Sequence, residues 1–86
     1  METRIALIAV IVENTDSVEA LNAILHDYGC YIIGRMGLPY QKANVSIMSI
    51  AVDAPQDVIS TLSGKIGKLD GVSAKTAYSN VVLSHE

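Results

Sequence analysis

At 86 residues the chain holds one domain with one core, and with no Trp, no Phe and only four Tyr that core must be aliphatic. Six Lys and Arg, scattered within a net charge of −3, argue against the basic footprint of a nucleic-acid-binding surface. The single cysteine, Cys30, excludes an internal disulfide framework and suits a reducing compartment.

The first element is Ile5–Val12, eight apolar residues in a row, closed by Glu13-Asn14-Thr15-Asp16. Its length is far short of the roughly 20 residues that span a bilayer. A short apolar run before turn residues predicts a strand buried on both faces. Alternation sends Ile5, Leu7, Ala9 and Ile11 to one face and Ala6, Ile8, Val10 and Val12 to the other. Met1-Glu2-Thr3-Arg4 ahead of this run faintly resembles a signal peptide. No small-residue cleavage site follows, and the next segment is helical in pattern, so a cytoplasmic protein is expected.

Asp16 and Glu19 form an Asp-x-x-Glu variant of the capping box. Val18, Leu21, Ile24, Leu25 and Tyr28 then recur at helical spacing, predicting a helix over about 16–28, with Gly29 as a left-handed cap. A second strand is expected over Tyr31–Met36 and a third over Val45–Val52, joined through Pro39–Asn44 as a hairpin. Asp53-Ala54-Pro55 opens a second helix whose stripe is Val58, Ile59, Leu62, Ile66 and Leu69. Gly64 and Gly67 inside it predict close packing against the sheet or an early end. Asp70-Gly71 makes the turn into a fourth, more polar strand over Val72–Ser79, which the tail Asn80–Glu86 could extend through Val81-Val82-Leu83.

The order βαββαβ with right-handed crossovers predicts an α+β, ferredoxin-like sandwich: a four-stranded antiparallel sheet with both helices on one face. Strands one and three become central. The uncovered face would leave about four large aliphatic side chains on water, a deficit of roughly 6–12 kcal/mol at about 1.5–3 kcal/mol each. A domain's whole stability is about 5–15 kcal/mol. A homo-oligomer, dimer or tetramer, closing over that face is therefore expected, with Ile8, Val10, Val12, Met48 and Ile50 assigned to the interface.

No catalytic constellation can be assembled from two histidines, one of them in the tail, so an enzyme is not expected. His26, Cys30 and His85 are the alternative for a metal, but a tetrahedral site needs three or four ligands, and Gly29 interrupts the helix between the first two. The simpler reading is an exposed helix-end His26 and a small buried Cys30. Arg35, between Gly34 and Gly37, could hold a carboxylate or phosphate with Tyr40 nearby. The competing reading is an edge-strand charge beside a bulge. Gly64-Lys65 lacks the upstream glycine and following hydroxyl of a P-loop.

Ile33-Gly34-Arg35-Met36-Gly37-Leu38-Pro39-Tyr40 carries a resemblance that extends over about residues 3–78. With Thr3-Arg4-Ile5, Ile24–Gly29 and Leu62–Val72, it resembles the small regulators of the iron-only hydrogenase system. The resemblance implies a stand-alone domain akin to ACT domains and to the ligand-binding half of the nickel-responsive repressor, associating through its sheet. Amino-acid-binding ACT domains carry a glycine after strand one, and Glu13–Asp16 has none. The several His and a Cys of the nickel repressor are also missing, as is a DNA-binding segment. The function expected is a regulatory domain that senses a small-molecule effector or relays a signal. Gly34, Arg35, Gly37, Tyr40, Gly64 and Gly67 are its candidate ligand residues, and no cofactor is implied. The alternative is an interaction module that docks on a maturation or transcription factor.

Overall fold

A computed structural model describes residues 1–85. The chain runs β1 (Glu2–Val12), α1 (Val18–Asp27), β2 (Ile32–Tyr40), β3 (Val45–Ala54), α2 (Gln56–Gly67) and β4 (Val72–Ser84), with short 3-10 turns before and after α1. The sheet order is β2-β3-β1-β4 with every neighbour antiparallel. This is the ferredoxin-like, ACT-like arrangement, with the most apolar strands, β1 and β3, in the middle.

Register assigns the faces. Ile8 stands opposite Ile50 and Val10 opposite Met48, and this row meets Leu21 and Leu25 of α1 and Ile59, Leu62 and Ile66 of α2 in one core. The five residues expected at the subunit interface therefore lie on the helix side. Ile8, Val10, Val12 and Ile50 are fully buried, and Met48 packs against them. The reason is parity: both faces of β1 are apolar, and a one-residue shift exchanges them. The uncovered face carries the other row, Leu7 opposite Ala51 and Ala77, and Ile11 opposite Ile47. Met36 and Leu38 continue it on β2.

Other boundaries moved for local reasons. Asn14, not Asp16, caps the first turn: its side-chain oxygen accepts from the Asp16 amide at 3.0 Å, and a 3-10 turn precedes α1. Gly29 has no left-handed φ; α1 passes through Tyr28 into the 3-10 turn Gly29–Tyr31. Cys30 in that turn is exposed, not buried. β2 runs on to Tyr40 and β4 to Ser84, taking in Val81-Val82-Leu83. Gly64 neither ends α2 nor packs closely, since a Cβ added there or at Gly67 would meet nothing within 4 Å.

The β1–α1 loop is pinned to the α2–β4 turn. The Asn14 amide donates to Asp70 at 2.7 Å, Ser17 Oγ to the Asp70 carbonyl at 2.6 Å, and the Glu13 amide to the Gly71 carbonyl at 2.6 Å. Gly71 has φ +68°, and a Cβ there would come within 2.5 Å of the Asn14 side chain, so only glycine allows this approach. These bonds set where α1 begins.

Candidate functional site

With its start fixed in this way, α1 packs Leu21 and Leu25 into the core and lies beside β2, where Asn22 meets Arg35. Between them lies a cleft of about 290 Å³, floored by Val12, Val18, Leu21 and Met48 and walled by Gly37, Leu38 and Pro39. Its polar groups are the side chains of Asn22, Arg35 and Ser46. About 300–1,000 Å³ is usual for a ligand pocket, so this one suits a small molecule.

Arg35 reaches the cleft because of a bulge. Ile32 pairs with Val52 while Gly34 pairs with Ala51, so Ile33 is an extra residue in β2. Strict alternation would send Ile32 and Arg35 to opposite faces; the inserted residue puts both on the helix side. The guanidinium Nη2 then donates to Asn22 Oδ1 at 3.3 Å, a long bond at an exposed position that leaves most of its hydrogens to solvent.

The candidate ligand residues fall into separate places. Arg35 and Gly37 line the cleft, and Arg35 also borders a hollow on the other face of the sheet, which Gly34 floors with Leu7, Met36, Ser49 and Ala51. Tyr40 borders a smaller depression with Thr15, Pro39 and Asn44. Gly64 and Gly67 lie on the exposed side of α2 and line none of these cavities. Asn22 and Ser46 carried no signal in the sequence, being polar residues of ordinary helix and strand positions.

His26 lies exposed near the end of α1 and Cys30 in the following turn, while His85 Nε2 shares a 2.7 Å hydrogen bond with Thr3 Oγ1 beside β4. Among the described residues no three His, Cys, Asp or Glu side chains form a metal-binding group. None of the described helices is long and apolar enough to cross a membrane.

The uncovered sheet face has its own relief. Leu7 stands between two hollows of about 270 and 370 Å³, one floored by Gly34, Ser49 and Ala51, the other by Ala51, Ala77 and Ser79. Met36 borders the first hollow, and Leu38, Ile47 and Ile11 form a row four residues along β1; with Leu7 these are 41–70% exposed. Two polar residues on this face, Ser49 and Lys75, both opposite Ala9, were the sequence's hint that it is the outer one.

A family of small regulators with this architecture matches residues 4–76: the TM1266-like family, described as "Iron-only hydrogenase system regulator, putative". The chain belongs to that family. The resemblance read from Ile33–Tyr40 and its companion segments thus holds over nearly the whole length. The uncharacterized protein TM1266 from Thermotoga maritima superposes with a TM-score of 0.85 at 28% identity, over 88% of this chain and 96% of that one. A formyltetrahydrofolate deformylase from Pseudomonas putida superposes with a TM-score of 0.65 at 10% identity. It shares the fold over 90% of this chain, which spans only 29% of the enzyme. No functionally curated protein matches the chain.

Proposed function

We propose that this TM1266-like protein is a self-associating regulatory domain that binds a small effector in the Arg35 cleft and relays its presence between subunits. The observation that carries the reading is the bulge at Ile33, which puts a guanidinium whose remaining donors meet only solvent on the side of an apolar cleft. An edge-strand arginine serving only solubility would gain nothing from being aimed inward.

Self-association rests on the open face. The exposed fractions of Leu7, Ile11, Met36, Leu38 and Ile47 forgo roughly 4–8 kcal/mol per copy at about 1.5–3 kcal/mol per fully buried side chain. A second copy is the occupant that suits this surface. A two-fold axis beside Leu7 would seat each copy's Leu7 in the hollow next to the other's, a self-complementary contact. Across two copies the gain is comparable with the roughly 4–15 kcal/mol lost on association. β2 belongs to both surfaces, through Arg35 and Gly37 on one side and Met36 and Leu38 on the other. That shared strand is the physical route from effector to assembly.

The test is a thermal-shift screen of small carboxylates, phosphates, nucleotides and divalent metals, run beside light scattering at low micromolar concentration. The reading expects an Arg35-dependent rise in unfolding midpoint and a particle larger than one chain. No rise with any compound, or a monomer at all concentrations, would refute the corresponding half.

A second reading is favoured by β2, an edge strand with Ile33, Met36, Leu38 and Tyr40 exposed. It is a docking module that adds its edge to a maturation or transcription factor. A pull-down that returns only the protein itself counts against it.

A further inference from the structure

The lining of the Arg35 cleft carries a statement about its ligand's chemical class, one that rests on the effector-binding reading above. We infer that the cleft takes a small amphiphilic monocarboxylate, a short aliphatic or arylalkyl acid, and discriminates against the matching amino acid.

Charge is the first consideration. Arg35 is the one charged side chain on the lining, and among the described residues no Asp or Glu joins it. A planar guanidinium fits a carboxylate with two parallel hydrogen bonds. Because Asn22 Oδ1 already accepts from Arg35, the Asn22 amide nitrogen is left with hydrogens to donate, and Ser46 adds a hydroxyl. An α-ammonium group would enter the same cleft with a cation beside it and no anion to meet it, so a zwitterion loses on two counts. A phosphate dianion would bring two charges to a single cation.

Shape and polarity give the other half. Beyond the polar corner the walls are aliphatic, chiefly Val18, Leu21 and Met48. The volume of about 290 Å³ is roughly twice the 150 Å³ that encloses a benzene. It holds a six-carbon chain or a phenyl ring with a short tether. No aromatic side chain lines it, so a nucleobase has no stacking partner.

The experiment uses matched sets. Hexanoate and 3-phenylpropanoate are titrated by calorimetry and thermal shift against their amides, and against norleucine and phenylalanine, which share their skeletons. Inorganic phosphate and adenosine monophosphate complete the panel. The carboxylates are expected to bind at least tenfold more tightly than either the amides or the amino acids. Arg35→Gln should remove that preference and leave the ligand-free unfolding midpoint unchanged. Gly37→Leu should block binding without harming the fold. Gly37 shares the helix face with Met48, and a Cβ there meets nothing within 4 Å, so the added side chain enters the cleft.

An amide or amino acid that binds as tightly as its acid overturns the inference. So does Arg35-dependent binding of phosphate or the nucleotide alone, which would nevertheless leave an effector site standing. If no member of the panel binds the wild type, the inference falls, and the effector-binding reading falls with it only when the wider screen of carboxylates, phosphates, nucleotides and divalent metals also gives no rise.

Discussion

Neighbouring residues on β1 offer a decisive comparison, because Leu7 faces outward and Ile8 inward. Leu7 is 44% exposed and Ile8 is 0% exposed. In Leu7→Asp the lost burial at a subunit contact is about 1 kcal/mol per copy, the exposed share of about 1.5–3 kcal/mol. Two copies meet, so about 2 kcal/mol disappears, and desolvating two facing carboxylates costs several kcal/mol more. A combined loss of about 4 kcal/mol or more weakens association about a thousandfold or more. The single chain should lose about 1–3 kcal/mol, the share of Leu7 already buried within it plus strand propensity, and stay folded. Ile8→Asp instead puts a charge between Ile50 and Thr76 beneath the helices. That loss rivals the whole stability of a domain, about 5–15 kcal/mol. The assay is light scattering at low micromolar concentration, with circular dichroism to report folding. Leu7→Asp should be a folded single chain and Ile8→Asp unfolded. A Leu7→Asp protein that keeps the wild-type particle mass, or an Ile8→Asp protein that folds and merely dissociates, would refute the facial assignment.

Three further substitutions test the frame. Gly71→Ala forces a side chain into a backbone at φ +68° and against Asn14, so denaturant unfolding should report a loss of at least about 1–3 kcal/mol from strain alone. Ser17→Ala removes the 2.6 Å bond to the Asp70 carbonyl and should cost about 1 kcal/mol by the same measurement, with a smaller loss showing that solvent replaces the bond. Gly64→Ala should stabilise, because α2 is regular there and the space around the added Cβ is empty. The expected gain is about 0.4–1 kcal/mol, or several degrees in Tm for a domain of this size. A lower Tm would mean that Gly64 serves a contact made only in the assembly.

Much of the fold could be read directly because local and global signals agree. Eight apolar residues ahead of a polar turn make β1 a central strand, the Val18–Tyr28 stripe makes α1, and the polarity of Val72–Ser79 makes β4 an edge. The Gly-Arg-Met-Gly-x-Pro-Tyr segment, with Thr3-Arg4-Ile5, Ile24–Gly29 and Leu62–Val72, indicated a family whose model matches residues 4–76. The candidate site was legible only in part. Arg35 and Gly37 share a cleft, but Gly64 and Gly67, chosen for their glycine chemistry, sit on the far helix with nothing against them.

Element order and doubly apolar central strands follow from side-chain type and period, which are properties of short stretches of chain. The direction in which each strand faces is different. Ile5, Leu7 and Ile11 match Ala6, Ile8 and Val10 closely in hydrophobicity, so burial alone has no preference between the rows. Strand register and helix position break the tie by turning Ile8 and Ile50 toward the helices. One extra residue, Ile33, then reverses the phase of β2 and aims Arg35 inward. These outcomes depend on contacts between distant segments, and for that reason only the folded chain decides them.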